Sequence, residues 1–225
     1  MNSIRKYDLI IWYNEIIFNL DNWRITLLKI IGSIGLGAMG GSYAKHLLQN
    51  NYRVFGIDPD KENSKYFTSL GGIILNNIND LISKSDVIIL SLPTVPIFQE
   101  IIKEIEKCKS FSDPKVIIDM NTISLEDKLD AKNKLEKLNI SIIDAPVSGT
   151  GAQAKTKDLV VMSSGNEKIV SECEDVFNSF ARKNIFVGEF GNGIKFKILA
   201  NLLVTVHNTV TAEALLLGQK VGLDS

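Results

Sequence analysis

Residues 34–41 read IGLGAMGG, a glycine-rich stretch with the spacing G-x-G-x-x-G at Gly35, Gly37 and Gly40. In this spacing the first glycine permits a tight turn, the second lets a pyrophosphate approach the backbone, and the third lets a helix pack closely on a strand. The helix that follows offers free N–H groups and a positive dipole end to phosphates. The stretch therefore predicts a dinucleotide-binding turn, and the alternative is a glycine-rich turn that binds nothing.

The sequence around this turn alternates between short β-branched runs and helical segments from Lys29 onward. The predicted strands are residues 30–34, 53–57, 87–92, 116–119, 140–144, 159–163 and 185–187. The predicted helices are residues 39–50, 96–108, 125–138 and 167–181. Strands that alternate with helices of this length pair in parallel through right-handed crossovers. The expected fold class is α/β, a Rossmann-like doubly wound parallel sheet.

The alternation stops near residue 190, where a long apolar helix is predicted to begin. We expect residues 29–190 to form a dinucleotide-binding domain and residues 191–225 to be the start of a helical C-terminal domain. Residues 1–28 form an N-terminal extension, and acidic residues that interrupt its apolar pattern argue against a signal peptide. An added amphipathic helix or a mis-chosen start is the interpretation, and no function is assigned to this extension.

The composition narrows the classes of function. The 225 residues carry a net charge of -1, which provides no field to attract nucleic acid or an anionic membrane. No apolar run is expected to reach the length of a membrane span. Cys108 and Cys173 lie far apart without metal-ligand spacing and are interpreted as reduced thiols of a cytoplasmic protein. His46 and His207 are predicted to be structural rather than catalytic, and no metal site is predicted.

Asp58 ends the second predicted strand, 23 residues after Gly35. A carboxylate at this distance is placed to bond the ribose hydroxyls of the adenosine and to repel an additional 2′-phosphate. We therefore expect NAD rather than NADP as the cofactor, with NADP left open. A surface aspartate without a ligand is the alternative.

Polar and turn-forming residues end three other predicted strands. They are Leu92-Pro93, Asn121-Thr122 and the run from Asp144 to Gly149. Ligands of open α/β sheets gather at the carboxyl ends of the strands, so three such ends are expected to face one cleft. Each one alone is also explained by ordinary turn chemistry.

The predicted long helix begins with GNGIKFKILAN, residues 191–201. Lys197 and Asn201 are four residues apart and share one helix face. An amine in an otherwise apolar helix is costly to bury without a partner or a task, and burial lowers its pKa toward the range useful for proton transfer. The alternative is a lysine whose stem lies along apolar surface while its amine reaches water.

Three motifs occur in the order of a known family: KIIGSIGLGAMGGSYA (29–44), DAPVSGTGAQA (144–154) and GNGIKFKILAN (191–201). DMNTIS (119–124) is a weaker fourth. From Lys29 onward the chain resembles the β-hydroxyacid dehydrogenase family, which includes 3-hydroxyisobutyrate dehydrogenases, tartronate semialdehyde reductases and, more distantly, 6-phosphogluconate dehydrogenases. In this family the sheet domain is followed by an all-helical second domain, so residues 191–225 are expected to be its first long helix.

The resemblance implies hydride transfer between NAD(P) and a small 3-hydroxy acid or its aldehyde or keto acid. It implies Lys197 as general acid and base, and Asn201 as the residue that orients the substrate oxygen. The substrate carboxylate is expected on Ser148 and on the backbone N–H groups around Gly149 and Thr150. The implied cofactor-binding residues are Gly35, Leu36, Gly37, Ala38, Met39, Gly40, Asp58, Leu92, Pro93 and Thr122.

The chain departs from the family at two places. Thr150 stands where the family has a glycine, so its hydroxyl is a possible extra substrate contact. The sequence given ends at Ser225, which is expected to leave the last helix without its usual cover and to favour a homo-oligomer. Two alternatives stay open: a reductase of the same family acting on a related carbonyl or imine, and a catalytically impaired dinucleotide-binding fragment or interaction module.

Overall fold

The computed structural model describes residues 29–108, 111 and 113–224. Within them, a six-stranded parallel sheet has the order β3-β2-β1-β4-β5-β6. Its strands are β1 (Ile31–Ile34), β2 (Val54–Ile57), β3 (Ile73–Ile74), β4 (Val87–Leu90), β5 (Lys115–Asp119) and β6 (Ile140–Asp144). This is the strand order of the doubly wound dinucleotide-binding fold. The predicted fold class is confirmed.

Helices connect the strands, and most of them begin at a polar capping residue. They are α1 (Gly40–Gln49), α2 (Lys61–Ser69), α3 (Ile78–Lys84), α4 (Val95–Glu106), α5 (Leu125–Leu135), α6 (Gly151–Lys155), α7 (Glu167–Glu172), α8 (Glu174–Phe180) and α9 (Asn192–Lys220). The side chains of Asp60, Asn77, Thr94 and Ser124 each accept a backbone N–H of the following turn. Such caps satisfy N–H groups that the helix itself leaves free.

Apolar side chains fill both faces of the sheet. On one face, Tyr43 and Leu47 of α1 belong to the same buried cluster as Phe180 of α8, and the rings of Tyr43 and Phe180 lie 4.8 Å apart. On the other face, Ile88 of β4 belongs to a second buried cluster with Phe98 of α4. Burial on both faces explains why the strands are nearly continuous apolar runs rather than alternating ones.

A smaller sheet continues the domain after β6. It consists of β7 (Val147–Ser148), β8 (Val160–Ser163) and β9 (Lys183–Phe186), with β7 antiparallel and β9 parallel to β8. An isolated bridge between Asp144 and Ser164 joins this sheet to the end of β6. Helix α9 packs beside β6, β7 and β8, so the second and third sequence motifs lie against each other.

The structure also contains elements that the sequence pattern did not predict. Helix α2, strand β3 and helix α3 fill the stretch between β2 and β4. Helix α2 escaped prediction because it buries only Phe67 and has no apolar face to detect. The helix predicted over residues 167–181 is two helices, α7 and α8, which meet at Cys173. The antiparallel β7 was also missed, because two residues inside a turn-rich motif carry no strand pattern.

Helix α9 contradicts the expectation that no apolar run reaches the length of a membrane span. It spans 29 residues and contains an 18-residue window with a mean hydropathy of 1.2, so by length and composition it is long and apolar enough to cross a bilayer. Large apolar side chains are exposed along it from Phe196 to Leu217. Core helices of soluble proteins pass the same test of length and composition, so the test does not separate a spanning helix from one that another part of a protein covers.

Candidate functional site

The glycine-rich turn between β1 and α1 is shaped by close backbone contacts. Gly35 has a φ of +91°, in the left-handed region that glycine tolerates without strain. A Cβ on Gly40 would lie 2.0 Å from the carbonyl oxygen of Gly35, so only glycine allows the helix to start this close to the strand. A Cβ on Gly37 would have no atom within 4 Å. The middle glycine therefore faces open space, where a ligand can approach the backbone.

A cleft of about 950 Å³ opens at the carboxyl ends of the parallel strands beside this turn. It lies where the strand order reverses between β1 and β4, the position at which open α/β sheets bind ligands. Of the residues predicted to bind the cofactor, those lining it are Gly35, Gly37, Ala38, Met39, Gly40, Asp58, Leu92 and Pro93. Its volume is in the range of small-molecule and cofactor sites.

Two residues of the predicted cofactor set do not line this cleft among the described residues. Leu36 is buried beneath the turn, and its N–H donates to Asp58. Thr122 is exposed beyond the end of β5. Other residues that line the cleft lie on α2 and α4 and at the end of β3, outside the predicted set; they include Asn63, Asn76 and Glu100. One sequence signal was available: Asp60 is a typical helix-capping residue, and it marks the start of α2, the helix that carries Asn63.

Asp58 holds the glycine-rich turn and also faces the cleft. Its Oδ2 accepts the backbone N–H of Leu36 at 2.6 Å. Its Oδ1 accepts the N–H of Asp60 at 2.8 Å and the side-chain amide of Asn63 at 3.3 Å. A carboxylate fixed from two sides in this way is preorganised, and with three of its about four lone pairs engaged, the remaining one on Oδ2 is available to a hydroxyl donor.

The second motif places residues 148–150 at the end of β7, next to the glycine-rich turn. A Cβ built on Gly151, the first residue of α6, would lie 4.0 Å from the Cβ of Ala38. Ser148, Gly149 and Thr150 are exposed, and Gly149 has a φ of +139°. The second motif therefore borders the first, as expected for residues that serve one site.

Thr150 requires a correction to the predicted carboxylate contacts. Its backbone N–H donates to Gln153 Oε1 at 3.0 Å, and its hydroxyl accepts the N–H of Gln153 at 3.4 Å. Together these bonds form a capping box that starts α6. Both polar groups of Thr150 that were predicted to meet the substrate are thus engaged inside the protein. Within the part of the chain that the structure describes, the Ser148 hydroxyl and the Gly149 N–H form no such bond, so these two donors face the site.

The first turn of α9 packs closely against β6 and β8. A Cβ on Gly193 would lie 2.5 Å from the carbonyl oxygen of Met162, so glycine permits the helix to touch β8. The N–H of Ile194 donates to Asp144 Oδ2 at 2.8 Å. The helix start, unlike its exposed remainder, is therefore fixed to the carboxyl end of β6.

Lys197 follows one turn later and is half-buried. Burial lowers the pKa of its amine below the ordinary lysine value. In the described part of the chain, no carboxylate forms an ion pair with Lys197, whereas the exposed Lys195 bonds Asn192 Oδ1 at 3.2 Å. Asn201 is exposed on the same face. No hydrogen bond in the described residues joins the side chains of Lys197, Asn201 and Ser148, and none of the three lines the 950 Å³ cleft.

His46 has a structural contact. It is buried on α1, and its Nε2 lies 2.9 Å from the carbonyl oxygen of Ala154 on α6. This bond ties the helix after the glycine-rich turn to the helix after the second motif. The described residues hold no group of three or more His, Cys, Asp or Glu side chains that could bind a metal ion.

Comparison with known proteins agrees with this arrangement. The family model described as the NAD binding domain of 6-phosphogluconate dehydrogenase matches residues 30–188. The chain is 32% identical to 2-(hydroxymethyl)glutarate dehydrogenase of Eubacterium barkeri, over 86% of this chain and 64% of that protein. It is 30% identical to the mitochondrial 3-hydroxyisobutyrate dehydrogenase of Homo sapiens, over 86% of this chain and 58% of that protein.

A solved structure gives the same picture. The 3-hydroxyisobutyrate dehydrogenase of Mycobacterium tuberculosis, determined with L-serine, superimposes with a TM-score of 0.82 at 27% identity. The match covers 88% of this chain and 67% of that one. The chain spans about three fifths of the length of the two curated relatives named above, at 64% and 58%.

Proposed function

The chain belongs to the β-hydroxyacid dehydrogenase family through its NAD-binding domain, and on that premise we propose that it transfers a hydride between NAD and a small 3-hydroxy acid or the corresponding aldehyde or keto acid. One observation carries the proposal: Gly37 leaves its backbone open to a ligand, and it lines the cleft at the point where the strand order of the sheet reverses. Lys197, half-buried with a lowered pKa, supports an acid–base step. The relatives named above are dehydrogenases of hydroxy acids, by name, which favours this substrate class.

The residues present fit a nicotinamide dinucleotide. The glycine-rich turn and the first turn of α1 would hold the pyrophosphate, Asp58 the adenosine ribose, and Leu92 with Pro93 the nicotinamide half. Hydride transfer at the substrate carbon is the chemistry that the bound dinucleotide supplies.

Residues of the second and third motifs would bind the substrate and exchange its proton. The Ser148 hydroxyl and the N–H of Gly149 would bind the substrate carboxylate, since both donors are free of the capping box. Asn201 would orient the substrate oxygen, and Lys197 would take its proton during oxidation and return it during reduction. Lys197 and Asn201 would reach one oxygen together, because residues four apart share a helix face.

Replacing Gly37 tests whether the open face of the turn binds the pyrophosphate. In Gly37→Ala the new methyl group meets no protein atom, so stability should stay unchanged. The methyl group occupies the space of the approaching pyrophosphate, so NADH affinity should fall at least about tenfold, or ~1.4 kcal/mol. Fluorescence titration with NADH measures this affinity.

Gly218→Ala is the matched control, because a Cβ there makes only ordinary contacts on α9. It should bind NADH as the unmodified chain does. Equal NADH affinity in the Gly37→Ala chain would place the cofactor elsewhere.

Asp58 predicts the choice between NAD and NADP. Its carboxylate at the end of β2 should repel a 2′-phosphate, so NADH should bind at least about tenfold more tightly than NADPH at low ionic strength. Salt screens this repulsion, so the ratio of the two dissociation constants should shrink between about 0.01 and 0.15 M salt. A chain that binds NADPH as tightly as NADH at low salt contradicts the assignment.

The lowered pKa of Lys197 predicts the pH dependence of turnover. Oxidation of the hydroxy acid needs the neutral amine, so its rate should rise with pH around a midpoint below the ordinary lysine value of about 10.4. Reduction needs the protonated amine and should fall with pH around the same midpoint. Initial rates measured in both directions between about pH 6 and 10 check this prediction, and profiles with the same slope in both directions would remove Lys197 from the step.

The exposed apolar surface of α9 favours a second candidate function. This alternative is a dinucleotide-binding fragment or interaction module with impaired catalysis, in which the exposed apolar side chains of α9 contact a partner. NADH binding without measurable turnover on a panel of 3-hydroxy acids would support this alternative. The reductase for a carbonyl or imine, the homo-oligomer and the cytoplasmic location stay predictions, and the N-terminal extension, residues 1–28, lies outside the described residues.

A further inference from the structure

A buried group of three charges lies between the two halves of the proposed site and has no part in the mechanism above. Asp119 and Asp144 end the neighbouring strands β5 and β6 and are direct partners in the strand register. Lys128 of α5 reaches between them, with its Nζ 2.6 Å from Asp119 and 3.0 Å from Asp144. All three side chains are fully buried, at 0% exposure.

On one side, this group is linked to the cofactor cleft. Asp119 Oδ1 accepts the side-chain amide of Asn121 at 2.7 Å and its backbone N–H at 3.0 Å. The carbonyl oxygen of the Asn121 side chain in turn accepts the N–H of Leu92 at 2.5 Å. Leu92 lines the cleft. The position of this cleft residue therefore depends on how Asp119 is held.

On the other side, the group is linked to the helix that carries Lys197. Asp144 Oδ2 accepts the N–H of Ile194 at 2.8 Å and the Ser164 hydroxyl at 3.1 Å. The Ser164 oxygen accepts the N–H of Gly193 at 3.0 Å. Two free N–H groups of the first turn of α9 are thus satisfied by Asp144, directly and through Ser164.

Electrostatics makes the lysine necessary to this arrangement. Two carboxylates side by side in a buried place repel each other and lose their hydration, and a shared cation offsets both costs while both stay ionised. Burial acts to lower the pKa of Lys128, but Asp119 and Asp144 act in the opposite direction by more, so its pKa is raised. The amine is thus a permanent positive charge at neutral pH.

We propose that Lys128 is a positioning residue that fixes the first turn of α9, and with it Lys197, relative to Leu92 at the cofactor cleft. This inference rests on the proposed function for its consequence, because only an acid–base role of Lys197 gives the spacing a catalytic meaning. The linkage itself is a property of the folded chain without ligands. Its test therefore begins without cofactor or substrate.

The experiment is residue-by-residue amide hydrogen exchange, measured by NMR on the whole chain. In Lys128→Met, exchange at the N–H groups of Leu92, Gly193 and Ile194 should each accelerate at least about tenfold more than at Ile88 in the middle of β4. Lys132→Met is the matched control: it is the same substitution one turn later on α5, at a lysine that pairs with Glu136 on the surface. It should change none of these rates.

Two further variants separate the two sides while each leaves one Lys–Asp pair intact. Asp144→Ala should accelerate exchange at Gly193 and Ile194 and leave Leu92 unchanged. Asp119→Ala should accelerate exchange at Leu92 and leave the helix start unchanged. These variants also cover the case in which Lys128→Met fails to fold. Equal acceleration at all core amides would mean a purely structural role and would overturn the proposal, as would unchanged exchange at both ends.

Kinetics then test the catalytic consequence separately. In Asp144→Ala the start of α9 is loosened and Lys197 becomes more exposed. The pH midpoint of turnover should therefore move toward the ordinary pKa of lysine. In the same variant, kcat should fall by a larger factor than the KM for NAD rises. An unmoved midpoint with a loosened helix start overturns the positioning role. Absence of NADH binding in the unmodified chain would defeat the proposed function alone, since the exchange rates at Leu92, Gly193 and Ile194 do not depend on it.

Discussion

Lys197→Ala is expected to lower kcat by about 10²–10⁴-fold, the usual contribution of a positioned general acid or base. The amine is half-buried, its pKa is lowered by burial, and no carboxylate within the described residues pairs with it, so it is free to exchange a proton. It does not line the cleft with the glycine-rich turn, so NADH affinity should stay within a few-fold of the unmodified value. Steady-state rates and a NADH titration, measured on the same preparation, separate the two effects.

Lys195→Ala is the matched control for this prediction. Lys195 lies two residues earlier on the same helix but is exposed and bonded to Asn192. Its removal should leave kcat nearly unchanged. A Lys197→Ala chain that keeps most of its turnover, or a Lys195→Ala chain that loses as much, would show that the acid–base assignment is wrong.

Lys128→Met is expected to cause the largest loss of stability of any variant discussed. Removing one partner of a buried ion pair leaves uncompensated charge in the interior, which typically costs about 3–5 kcal/mol. Here two carboxylates, Asp119 and Asp144, would face each other without a cation. For a chain of this length each kcal/mol lowers Tm by roughly 2–4 °C, so the change is large in a thermal scan.

The pH dependence of that loss identifies its cause. Without Lys128, one of the two carboxylates should take up a proton, so the folded variant binds more protons than its unfolded chain and gains stability as pH falls. The difference in Tm from the unmodified chain should therefore be smaller at about pH 5 than at pH 8. Lys132→Met, at a surface pair, should cost under about 1 kcal/mol at both values. A pH-independent loss would point to packing rather than charge.

Much of the fold and part of the cofactor cleft can be predicted from the sequence because local chemistry determines them. Gly35 needs glycine for its positive φ and Gly40 for its close approach to a carbonyl oxygen, whereas Gly37 leaves open space for a ligand; the spacing of the three indicates the turn between β1 and α1. The helix start at Ser124 is equally local: its hydroxyl accepts the N–H of Asp127 at 3.1 Å.

The features that the sequence did not reveal depend on contacts between distant parts of the chain. Lys128 reads as one more charge on a polar helix, and only the side-by-side register of β5 and β6 shows that it lies between two buried carboxylates. The engagement of Thr150 depends likewise on Gln153 closing a capping box, although the spacing of threonine and glutamine was a visible signal. Short elements such as β7 follow from pairing with β8 rather than from their own pattern.

A structure of the chain with NAD and a small 3-hydroxy acid bound is the decisive measurement of whether Lys197 acts on the substrate beside the cofactor. We expect the pyrophosphate against Gly37 and the nicotinamide turned toward α9. We also expect Lys197 Nζ within about 2.6–3.2 Å of the substrate oxygen, the reach of a general base. A dinucleotide bound with its nicotinamide away from α9, or a substrate oxygen beyond the reach of Lys197, would contradict the account.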